Sequence, residues 1–328
     1  MGIKWLRIEL TNACNFNCAY CAEQYMTRKK GFMDMSLAKK IINEISETHI
    51  SDVLGLQFMG EGLLHPKFDE IASYAKDRGV KLHLTTNAGL LTDKNIDSIL
   101  DHELKSVYLS LFTPDEHSYS LRGGANKNYE DYERGVKNLI REKFKRKSGI
   151  KISIGLLNTQ YCFLPGIDAV KNNDKARRLV YSWFSPINED ISITFVEVGT
   201  WANQLLVKRG VKVTPNEKGF CPSPFEQLFI AWDGTCTPCC LDYDCNIKVG
   251  DANRDSIASI WNNDRYKRIR EGMNNNLLIE PYCQTCRGKI NLFSFLRRSD
   301  IWKLLRMGFS REKLQYICAR GWRRFKLI

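Results

Sequence analysis

Short apolar runs alternate with longer segments of helical apolar spacing through the first part of the chain. Apolar, β-branched and aromatic runs bounded by turn residues are typical of strands, and they predict six: Trp5–Leu10, Val53–Met59, Val80–Thr86, Val107–Phe112, Ile150–Leu157 and Ile191–Val198. Apolar residues three and four positions apart are typical of amphipathic helices, and they predict five: Ser36–Thr48 (with Ser36 as N-cap), Lys67–Asp77, Asp93–Leu100, Tyr129–Phe144 and Asp174–Trp183. Strands and helices that alternate in this way favour a mainly parallel sheet with the helices outside.

Six strands are too few for the eight strand–helix units of a closed barrel. We therefore predict an α/β fold, a partial (β/α)6 TIM-like barrel, over residues 1–200. The alternation stops after Val198, and residues 201–218 have the mixed character of a linker. A small cysteine-rich C-terminal domain then covers residues 219–288, and a basic helical tail covers residues 289–328.

Composition is that of a globular protein. The chain has 328 residues, of which 43% are apolar and 26% are charged, and it has no apolar run long enough to span a membrane. The sequence starts almost directly in a strand, so we expect no cleaved signal peptide and a cytoplasmic protein. Its 12 cysteines fall mainly in two clusters with metal-type spacing, which favours cofactor ligation over a secreted disulfide scaffold.

Positive charge is concentrated at the end of the chain. Residues 287–328 carry twelve Lys and Arg against two Asp and Glu, which accounts for 12 − 2 = +10 of the net charge of +12. Leu296, Ile301 and Leu305 approximate one apolar face of a basic helix. Such a helix suits peripheral contact with anionic lipid at the inner face of a membrane, or packing on the barrel with a solvated basic face. No recognised nucleic-acid-binding motif accompanies the charge, so nucleic acid is not an expected partner.

The densest candidate chemistry follows the first strand, where Cys14, Cys18 and Cys21 form a C-x3-C-x2-C loop. This position would present three thiolates at the strand ends, where α/β barrels keep their active sites. A structural zinc site has four protein ligands, and the next cysteine along the chain is Cys162. A 4Fe–4S cube on three thiolates would instead leave one iron open. The alternatives are three incidental thiols, or a zinc site completed from a distance.

This spacing, with the aromatic Tyr20 before the third cysteine, resembles the signature of the radical S-adenosylmethionine (radical SAM) superfamily. The resemblance implies that S-adenosylmethionine chelates the open iron through its methionyl amine and carboxylate. One electron, delivered by a flavodoxin- or ferredoxin-type donor, would then release a 5′-deoxyadenosyl radical that abstracts hydrogen from a substrate. Thiolate ligation suits this chemistry, since iron–sulfur potentials extend down to roughly −700 mV.

The loop after the second strand adds to the resemblance. Met59-Gly60-Glu61 looks like the Gly-Gly-Glu motif of the family, although Met59 replaces the first glycine. Gly60 would let the backbone approach the cofactor closely, and Glu61 would accept hydrogen bonds from the cofactor's ammonium group. The alternative is an ordinary loop between a strand and a helix.

Three more polar residues lie at successive strand ends. The resemblance places Ser110 against the ribose or carboxylate of the cofactor, and it places Arg122 against the carboxylate. Asn87 ends the third strand and is expected to face the same cavity. Each residue type is common at loop starts, but their register on successive strands favours one shared site.

The second cysteine cluster is similar to the auxiliary-cluster domain called SPASM, or to its shorter "twitch" form. It contains a Gly234-x4-Cys239 step and a later C-x2-C pair. The resemblance implies one further 4Fe–4S cluster, fully ligated by Cys221, Cys239, Cys283 and Cys286. Zinc on four cysteines is the chemical alternative. Three cysteines are left over in this region: Cys236, Cys240 and Cys245.

A closed cluster beside a radical site can accept an electron from a substrate radical, and a thiol can return a hydrogen atom. These two outcomes are oxidation and epimerisation. The candidate base is Asp242, and Trp201 and Asn203 are candidates for substrate contact. The candidate thiols are Cys162, Cys236, Cys240, Cys245 and Cys318. Each of these residues is otherwise a buried small side chain or a solvated acid.

We therefore expect a radical SAM oxidoreductase or epimerase with two 4Fe–4S clusters. No separate peptide-recognition region precedes the barrel in this sequence, which favours a small polar substrate: a sugar, an aminocyclitol or a lipid-linked glycan. One alternative is a maturase that modifies a ribosomally made peptide. The alternative outside the enzymes is a zinc-stabilised binding module.

Overall fold

The computed structural model describes residues 2–123, 128–158, 173–184 and 191–291. The chain divides into two compact units. The first contains Met1–Val198 and Cys221–Glu271, and the second contains Gly199–Phe220 and Gly272–Ile328. The first unit therefore includes the early part of the cysteine-rich region as well as the predicted barrel.

Eleven strands lie in the described residues. They are β1 (Trp5–Ile8), β2 (Leu54–Leu56), β3 (Leu82–Thr86), β4 (Ser106–Phe112), β5 (Lys151–Asn158), β6 (Ile191–Glu197), β7 (Lys212–Thr214), β8 (Gln227–Ile230), β9 (Thr235–Thr237), β10 (Gly250–Asp251) and β11 (Lys289–Asn291). Nine of them form one sheet in the first unit, in the order β10-β9-β8-β1-β2-β3-β4-β5-β6. The strands from β8 through β6 are parallel, whereas β9 and β10 are antiparallel to their neighbours. The six predicted strands are confirmed and follow chain order, as expected for a partial barrel.

The sequence analysis missed β8. This strand pairs in parallel with β1 from Trp5↔Gln227 to Ile8↔Ile230, so β1 lies inside the sheet and not at its edge. The apolar run of β8 is short and lies among cysteines, with no long helix before it. Local patterning therefore gave no sign of a barrel strand so far along the chain.

The helices of the described residues are α1 (Met35–Thr48), α2 (Phe68–Asp77), α3 (Asp93–Asp101), α4 (Glu116–Tyr119), α5 (Tyr129–Lys145), α6 (Asn173–Ser182), α7 (Gln204–Lys208), α8 (Ser223–Glu226), α9 (Ile257–Asn262), α10 (Asp264–Asn274) and α11 (Pro281–Cys286). The five predicted helices are present. The N-cap prediction for α1 was wrong, because Asp34 is the cap and its carboxylate accepts from the backbone N–H of Ser36 at 2.7 Å. Asp is among the preferred N-cap residues.

The parallel strands have two different faces. In β4, Val107, Leu109 and Leu111 are buried, whereas Ser106, Tyr108 and Ser110 on the opposite face are half-buried. The same alternation runs through β3, where Leu82 and Leu84 are buried. Since successive side chains of a strand point to opposite faces, the sheet has one apolar core face and one polar face.

In the second unit, β7 pairs antiparallel with β11. The span 201–218, expected to be a linker, thus contains α7 and β7, and the expected helical tail begins with the short strand β11. The domain limits drawn from the sequence otherwise stay a prediction. The rest of the tail, 292–328, lies outside the described residues, as do Cys162 and Cys318. Across the described ranges, no helix has the length and apolar character needed to cross a bilayer.

Candidate functional site

The cysteine loop lies directly after β1 and is fixed by the loop after β2. Gly60 has φ +74, and a Cβ there would lie 2.3 Å from the carbonyl oxygen of Thr11 and 2.6 Å from that of Ala13. The backbone N–H of Glu61 donates to the Ala13 carbonyl at 2.8 Å. Only glycine adopts this conformation freely and leaves this space, so Gly60 allows the cysteine loop to cross the end of β2.

The carboxylate of Glu61 is fully buried and accepts three hydrogen bonds. They come from the hydroxyl of Thr86 at 2.8 Å and from the backbone N–H groups of Asn87 at 2.6 Å and Leu63 at 3.2 Å. Burial raises the pKa of Glu61, and the bonds from Asn87, Thr86 and Leu63 oppose that rise. A carboxylate has about four acceptor positions, so one position remains. The predicted contact of Glu61 with the cofactor's ammonium group stays a prediction.

Asn87 connects the end of β3 to the cysteine loop. Its side-chain amide donates to the sulfur of Cys14 at 3.5 Å and to the side-chain oxygen of Asn15 at 2.8 Å. Its own side-chain oxygen accepts from the backbone N–H of Gly89 at 2.8 Å. Asn87 therefore lies at the predicted site, beside a predicted cluster ligand.

The loop after β4 holds the cysteine loop from another side. The backbone N–H groups of Asn17 and Ala19 donate to the carbonyls of Arg122 and Leu121 at 3.0 and 2.9 Å. Tyr20 is buried with its ring edge-on to Phe112, at 5.8 Å between centroids. The predicted cofactor residue Tyr20, within the cysteine loop, thus packs on Phe112 at the end of β4, and the backbone of Arg122 holds the loop through a hydrogen bond.

The guanidinium of Arg122 is buried among aromatic rings and strand-end carbonyls. It donates to the hydroxyls of Thr113 at 3.0 Å and Tyr132 at 2.7 Å, and to the Ser110 carbonyl. It also lies 5.0 Å from the ring centroid of Phe16 in the cysteine loop. Burial lowers the pKa of Arg122, but its phenol and thiol neighbours raise it above the ordinary value overall. Arg122 therefore braces the loop from within, and its predicted contact with the cofactor carboxylate stays a prediction. Ser110 is half-buried on the polar face of β4.

The three thiols of the loop fit a cluster. Burial raises the pKa of Cys14 to about 11 and that of Cys21 to about 12, and both thiols interact electrostatically with Cys18. Buried thiols with raised pKa values stay protonated unless a nearby positive charge stabilises their thiolates. A bound iron–sulfur cluster would supply that positive charge and displace the thiol protons. No three Cys, His, Asp or Glu side chains converge on one ion in the part of the chain that the structure describes. A 4Fe–4S cube does not require such a single-ion site, because each of its three thiolate ligands would bind a different iron.

Sequence reasoning missed the pair Glu9–Arg28, which anchors the base of the cysteine loop. Arg28 donates two hydrogen bonds to the Glu9 carboxylate, both at 2.8 Å, and the Glu9 side chain has no exposed surface. The backbone N–H groups of Met59 and Trp232 also donate to it, each at 3.2 Å. Arg28 in turn donates to the Tyr243 carbonyl at 2.8 Å. The sequence feature that could have indicated this pair is Glu9 itself, an acidic residue directly after an apolar strand.

The predicted auxiliary ligands are divided between the two units. In the first unit, the hydroxyl of Ser223 donates to the Pro238 carbonyl at 2.6 Å, which brings the segments of Cys221 and Cys239 together. In the second unit, Cys283 and Cys286 lie on α11, and Asn203 donates to the Cys286 carbonyl at 3.2 Å. Asn203 thus supports the end of α11. The shared cluster of all four cysteines stays a prediction from the sequence.

The candidates for handling the substrate radical differ in environment. Asp242 is fully buried and accepts four hydrogen bonds, two from Asn246, one from the Ile247 N–H and one from the Thr237 hydroxyl. All of its approximately four acceptor positions are therefore in use, which counts against a role as base. Cys245 is buried, and burial raises the pKa of its thiol. Cys236 is also buried, in β9.

Cys240 is exposed, unlike Cys236 and Cys245. It interacts electrostatically with Arg7, whose position in β1 alternates with the buried Leu6 and Ile8 and so belongs to the polar face. Among the three predicted thiols that lie in the described residues, the exposed one is therefore the one next to the polar face of the barrel.

The polar face itself was not singled out from the sequence. The Arg7 guanidinium donates to the side-chain oxygen of Gln227 at 2.6 Å, and a ring nitrogen of His83 lies 2.8 Å from the Ser106 hydroxyl. Thr85 donates to the side-chain oxygen of Gln57. The face therefore presents amide, hydroxyl and imidazole groups and the guanidinium of Arg7, with the exposed ammonium group of Lys151 at the start of β5. These groups can hydrogen-bond a polar molecule.

Comparison with known proteins gives two family matches. The sequence model of the radical SAM superfamily matches residues 8–160, and that of SPASM, an iron–sulfur cluster-binding domain, matches residues 221–287. A protein of Pyrococcus furiosus, named tungsten-containing aldehyde ferredoxin oxidoreductase cofactor-modifying protein, is 24% identical over an alignment of 330 positions that covers 91% of each chain.

Solved structures show the same fold. BtrN in complex with AdoMet and 2-DOIA superposes with a TM-score of 0.54 at 16% identity, over 84% of this chain and 89% of BtrN. Streptococcus suis SuiB bound to the precursor peptide SuiA superposes with a TM-score of 0.55 at 14% identity, over 82% of this chain and 67% of SuiB.

Proposed function

Because the chain belongs to the radical SAM superfamily and carries a SPASM iron–sulfur cluster-binding domain, we propose that it abstracts hydrogen from a small polar molecule and so oxidises or epimerises it. The family implies S-adenosylmethionine, the 4Fe–4S cluster that binds it and an auxiliary cluster. When bound, the first cluster supplies the electron that converts S-adenosylmethionine to the 5′-deoxyadenosyl radical. Sugars, aminocyclitols and lipid-linked glycans are the substrate classes in question.

The observation that best supports a small polar substrate is the polar face of the sheet. Gln57, His83, Thr85, Ser106 and Tyr108 line it with neutral hydrogen-bonding groups, and all five are half-buried. A few placed polar groups on a rigid wall are what fixes the orientation of a small hydroxyl-rich ligand. The Pyrococcus relative is named for modifying a cofactor, which also supports a small molecule.

Cys240 is our candidate for the residue that returns hydrogen in an epimerisation. Its exposure and its interaction with Arg7 support an accessible position beside the polar face. Cys236 and Cys245 are buried, and Asp242 has its carboxylate occupied by four donors. Returning a hydrogen atom to the substrate radical would leave a thiyl radical on Cys240, which one electron from the auxiliary cluster and one proton from solvent would restore to the thiol. In an oxidation the substrate radical would instead give one electron to the auxiliary cluster and lose a proton, so no returning thiol is needed.

The first experiment tests the reaction class. The protein is reconstituted anaerobically with iron and sulfide, reduced, and incubated with S-adenosylmethionine and pools of sugars, glycolipids and peptides. We expect roughly eight irons per chain from two cubes, formation of 5′-deoxyadenosine, and a product in the sugar or glycolipid pool by mass spectrometry. Zinc alone, with no 5′-deoxyadenosine, would support a zinc-stabilised binding module and exclude the radical reaction.

The second experiment separates epimerisation from oxidation. In deuterated water an epimerase places one deuterium at the reacting carbon, because the returning thiol exchanges its hydrogen with solvent. The Cys240→Ala variant should then stop turnover while 5′-deoxyadenosine still forms. Cys236→Ala is the matched control and should turn over. A dehydrogenase incorporates no deuterium at that carbon, and its turnover does not require Cys240.

A peptide substrate is the second candidate. It is favoured by the likeness to SuiB, a protein whose structure has a precursor peptide bound. A product that forms only in the peptide pool would establish it. For either substrate we propose a flavodoxin- or ferredoxin-type electron donor, which is tested by replacing dithionite with each reduced protein.

A further inference from the structure

Two cations lie on the polar face of the barrel, the half-buried Arg7 in β1 and the exposed Lys151 in β5. None of the strands β1, β2, β3, β4, β5 and β8 contains an Asp or Glu. Arg7 in β1 is half-buried on this face, and its hydrogen-bond partner is the neutral amide of Gln227 at 2.6 Å. In the ranges that the structure describes, Arg7 forms no ion pair.

The nearest acidic residue along the strand does not neutralise Arg7. Glu9 follows Arg7 by two positions, but its carboxylate is held by the two bonds from Arg28. The Glu9–Arg28 pair is neutral as a whole, so the positive charge of Arg7 remains. Burial and the charge of Arg7 both lower the pKa of His83. The other cation in register with Arg7 is Lys151 in β5, whose side chain is exposed, so Arg7 is the half-buried cation of this layer.

The sheet makes room for the Arg7 side chain. Gly55 pairs with Arg7 across β1 and β2, and a Cβ at Gly55 would lie 2.9 Å from the Arg7 Cγ. The stem of Arg7 therefore lies over a glycine, on a path toward the next strand, where His83 pairs with Gly55. The guanidinium also lies 5.1 Å from the ring centroid of Phe229 and 5.2 Å from that of Trp5. These contacts fix a planar, cationic group with N–H donors to spare, since guanidinium has five.

We propose that Arg7 binds an oxyanion, a phosphate or carboxylate group, of the substrate on the polar face of the barrel. This proposal rests on the function proposed above, because it concerns the substrate of the same barrel. A guanidinium recognises either oxyanion through two parallel N–H donors. One donor of Arg7 is used by Gln227, and the amide of Gln227 in turn holds the fork in place.

The same geometry sets the length of the substrate. His83, in the layer of Arg7, and Asn87, beside Cys14, are separated by four positions along β3 and its end. At 3.3 Å per residue this is about 13 Å. The cluster and S-adenosylmethionine would occupy the end of this distance at the cysteine loop, so a substrate held by its anion at Arg7 would extend less than about 13 Å toward that loop.

The test measures binding to the cluster-containing protein by calorimetry, without turnover. The probes are inorganic phosphate, glucose 1-phosphate, glucuronate and neutral glucose, each up to about 10 mM, where weak millimolar binding is detectable. We expect at least one anionic probe to bind and glucose not to bind. Arg7→Gln should weaken that binding at least tenfold, and Arg7→Lys, which keeps the charge but loses the fork, should be intermediate.

Two further variants complete the design. Gly55→Ala keeps every charge but displaces the Arg7 stem, so it should also weaken binding. Arg254→Gln removes a cation whose side chain is 84% exposed, and it should bind like the wild type. Glucose 1-phosphate binding without glucuronate binding assigns the oxyanion as phosphate, and the reverse assigns it as carboxylate.

The proposal is wrong if no anionic probe binds the wild type, or if the Arg7→Gln and Arg254→Gln variants bind alike. Failure of the reaction itself is measured separately, as the absence of 5′-deoxyadenosine from S-adenosylmethionine. Folding of each variant is checked by iron content and circular dichroism. A folded Arg7→Gln protein that keeps its iron but binds the anionic probe at least tenfold more weakly than the wild type is the expected result.

Discussion

The buried pair Glu9–Arg28 offers a quantitative test of what holds the cysteine loop. The Glu9 side chain has no exposed surface and that of Arg28 is 11% exposed, so solvent screens the pair little. Glu9→Gln removes the negative charge and replaces one carboxylate oxygen by an NH2 group. That group would face the N–H donors that the carboxylate accepts from, those of Arg28 and the backbone. Arg28→Met leaves a buried carboxylate with two backbone donors, those of Met59 and Trp232.

Removing one partner of such a pair typically costs about 3–5 kcal/mol, because the other charge stays buried without compensation. We therefore expect each single variant to lower the free energy of unfolding by about 3–5 kcal/mol. The double variant has no uncompensated charge. Its loss should fall short of the sum of the single losses by at least about 2 kcal/mol, which is the coupling energy of the pair.

The measurement is anaerobic urea unfolding of the cluster-containing protein, followed by circular dichroism and by cluster absorbance. The matched control is the exposed pair Lys4–Glu226, at 3.1 Å with side chains 60% and 38% exposed. Its coupling should be under about 1 kcal/mol. A Glu9–Arg28 coupling below about 0.5 kcal/mol would show that the two side chains act independently, and would refute this account of the loop.

Three other predictions concern separate parts of the chain. Gly60→Ala should displace the cysteine loop and remove roughly half of the iron, since one of two cubes is lost. Gly79→Ala is the control: Gly79 has φ +70 but no heavy atom near its Cβ position, so this variant should keep its full iron content. Burial lowers the pKa of His65 below its ordinary value of about 6.5. As the pH falls, the unfolded chain therefore binds a proton at this histidine before the folded protein does, which destabilises the fold. The melting temperature should fall between pH 7.5 and pH 5.5, and it should fall less in the His65→Gln variant. Truncation after Asn291, which keeps β11, should abolish binding to anionic lipid vesicles; failure of the intact protein to bind them would exclude the membrane contact.

Much of the barrel could be predicted from local sequence, because each strand and helix carries its own periodicity. Val107 to Phe112 shows the alternation of β4, and the structure extends this strand by one residue, to Ser106. β8 could not be found in this way, since what makes Gln227–Ile230 a barrel strand is its pairing with a segment at the start of the chain.

The candidate site likewise has features that local sequence predicts and contacts that only the folded structure shows. The spacing of the cysteines and the register of Gly60 and Asn87 are properties of the sequence, and the structure brings these residues together. The sequence does not show which partners a charged side chain finds. Arg122 and Asp242 were selected by type and position, yet their polar atoms are engaged by the protein itself. Arg7 was passed over because one cation in a strand looks ordinary until its neighbours are known.

The pairing of β8 with β1 also bears on synthesis. One edge of β1 can be covered by β2 early in synthesis, but its other edge stays open until Ile230 has been made. Such non-local pairing is slow to form, and an open strand edge is prone to pair with other chains. The backbone N–H of Trp232, just after β8, is also one of the four donors to Glu9. The base of the cysteine loop is therefore completed only after β8 and Trp232 have been made, which follow all of β2 to β6 in the chain. Firm insertion of the first cluster is thus placed late in the synthesis of the barrel.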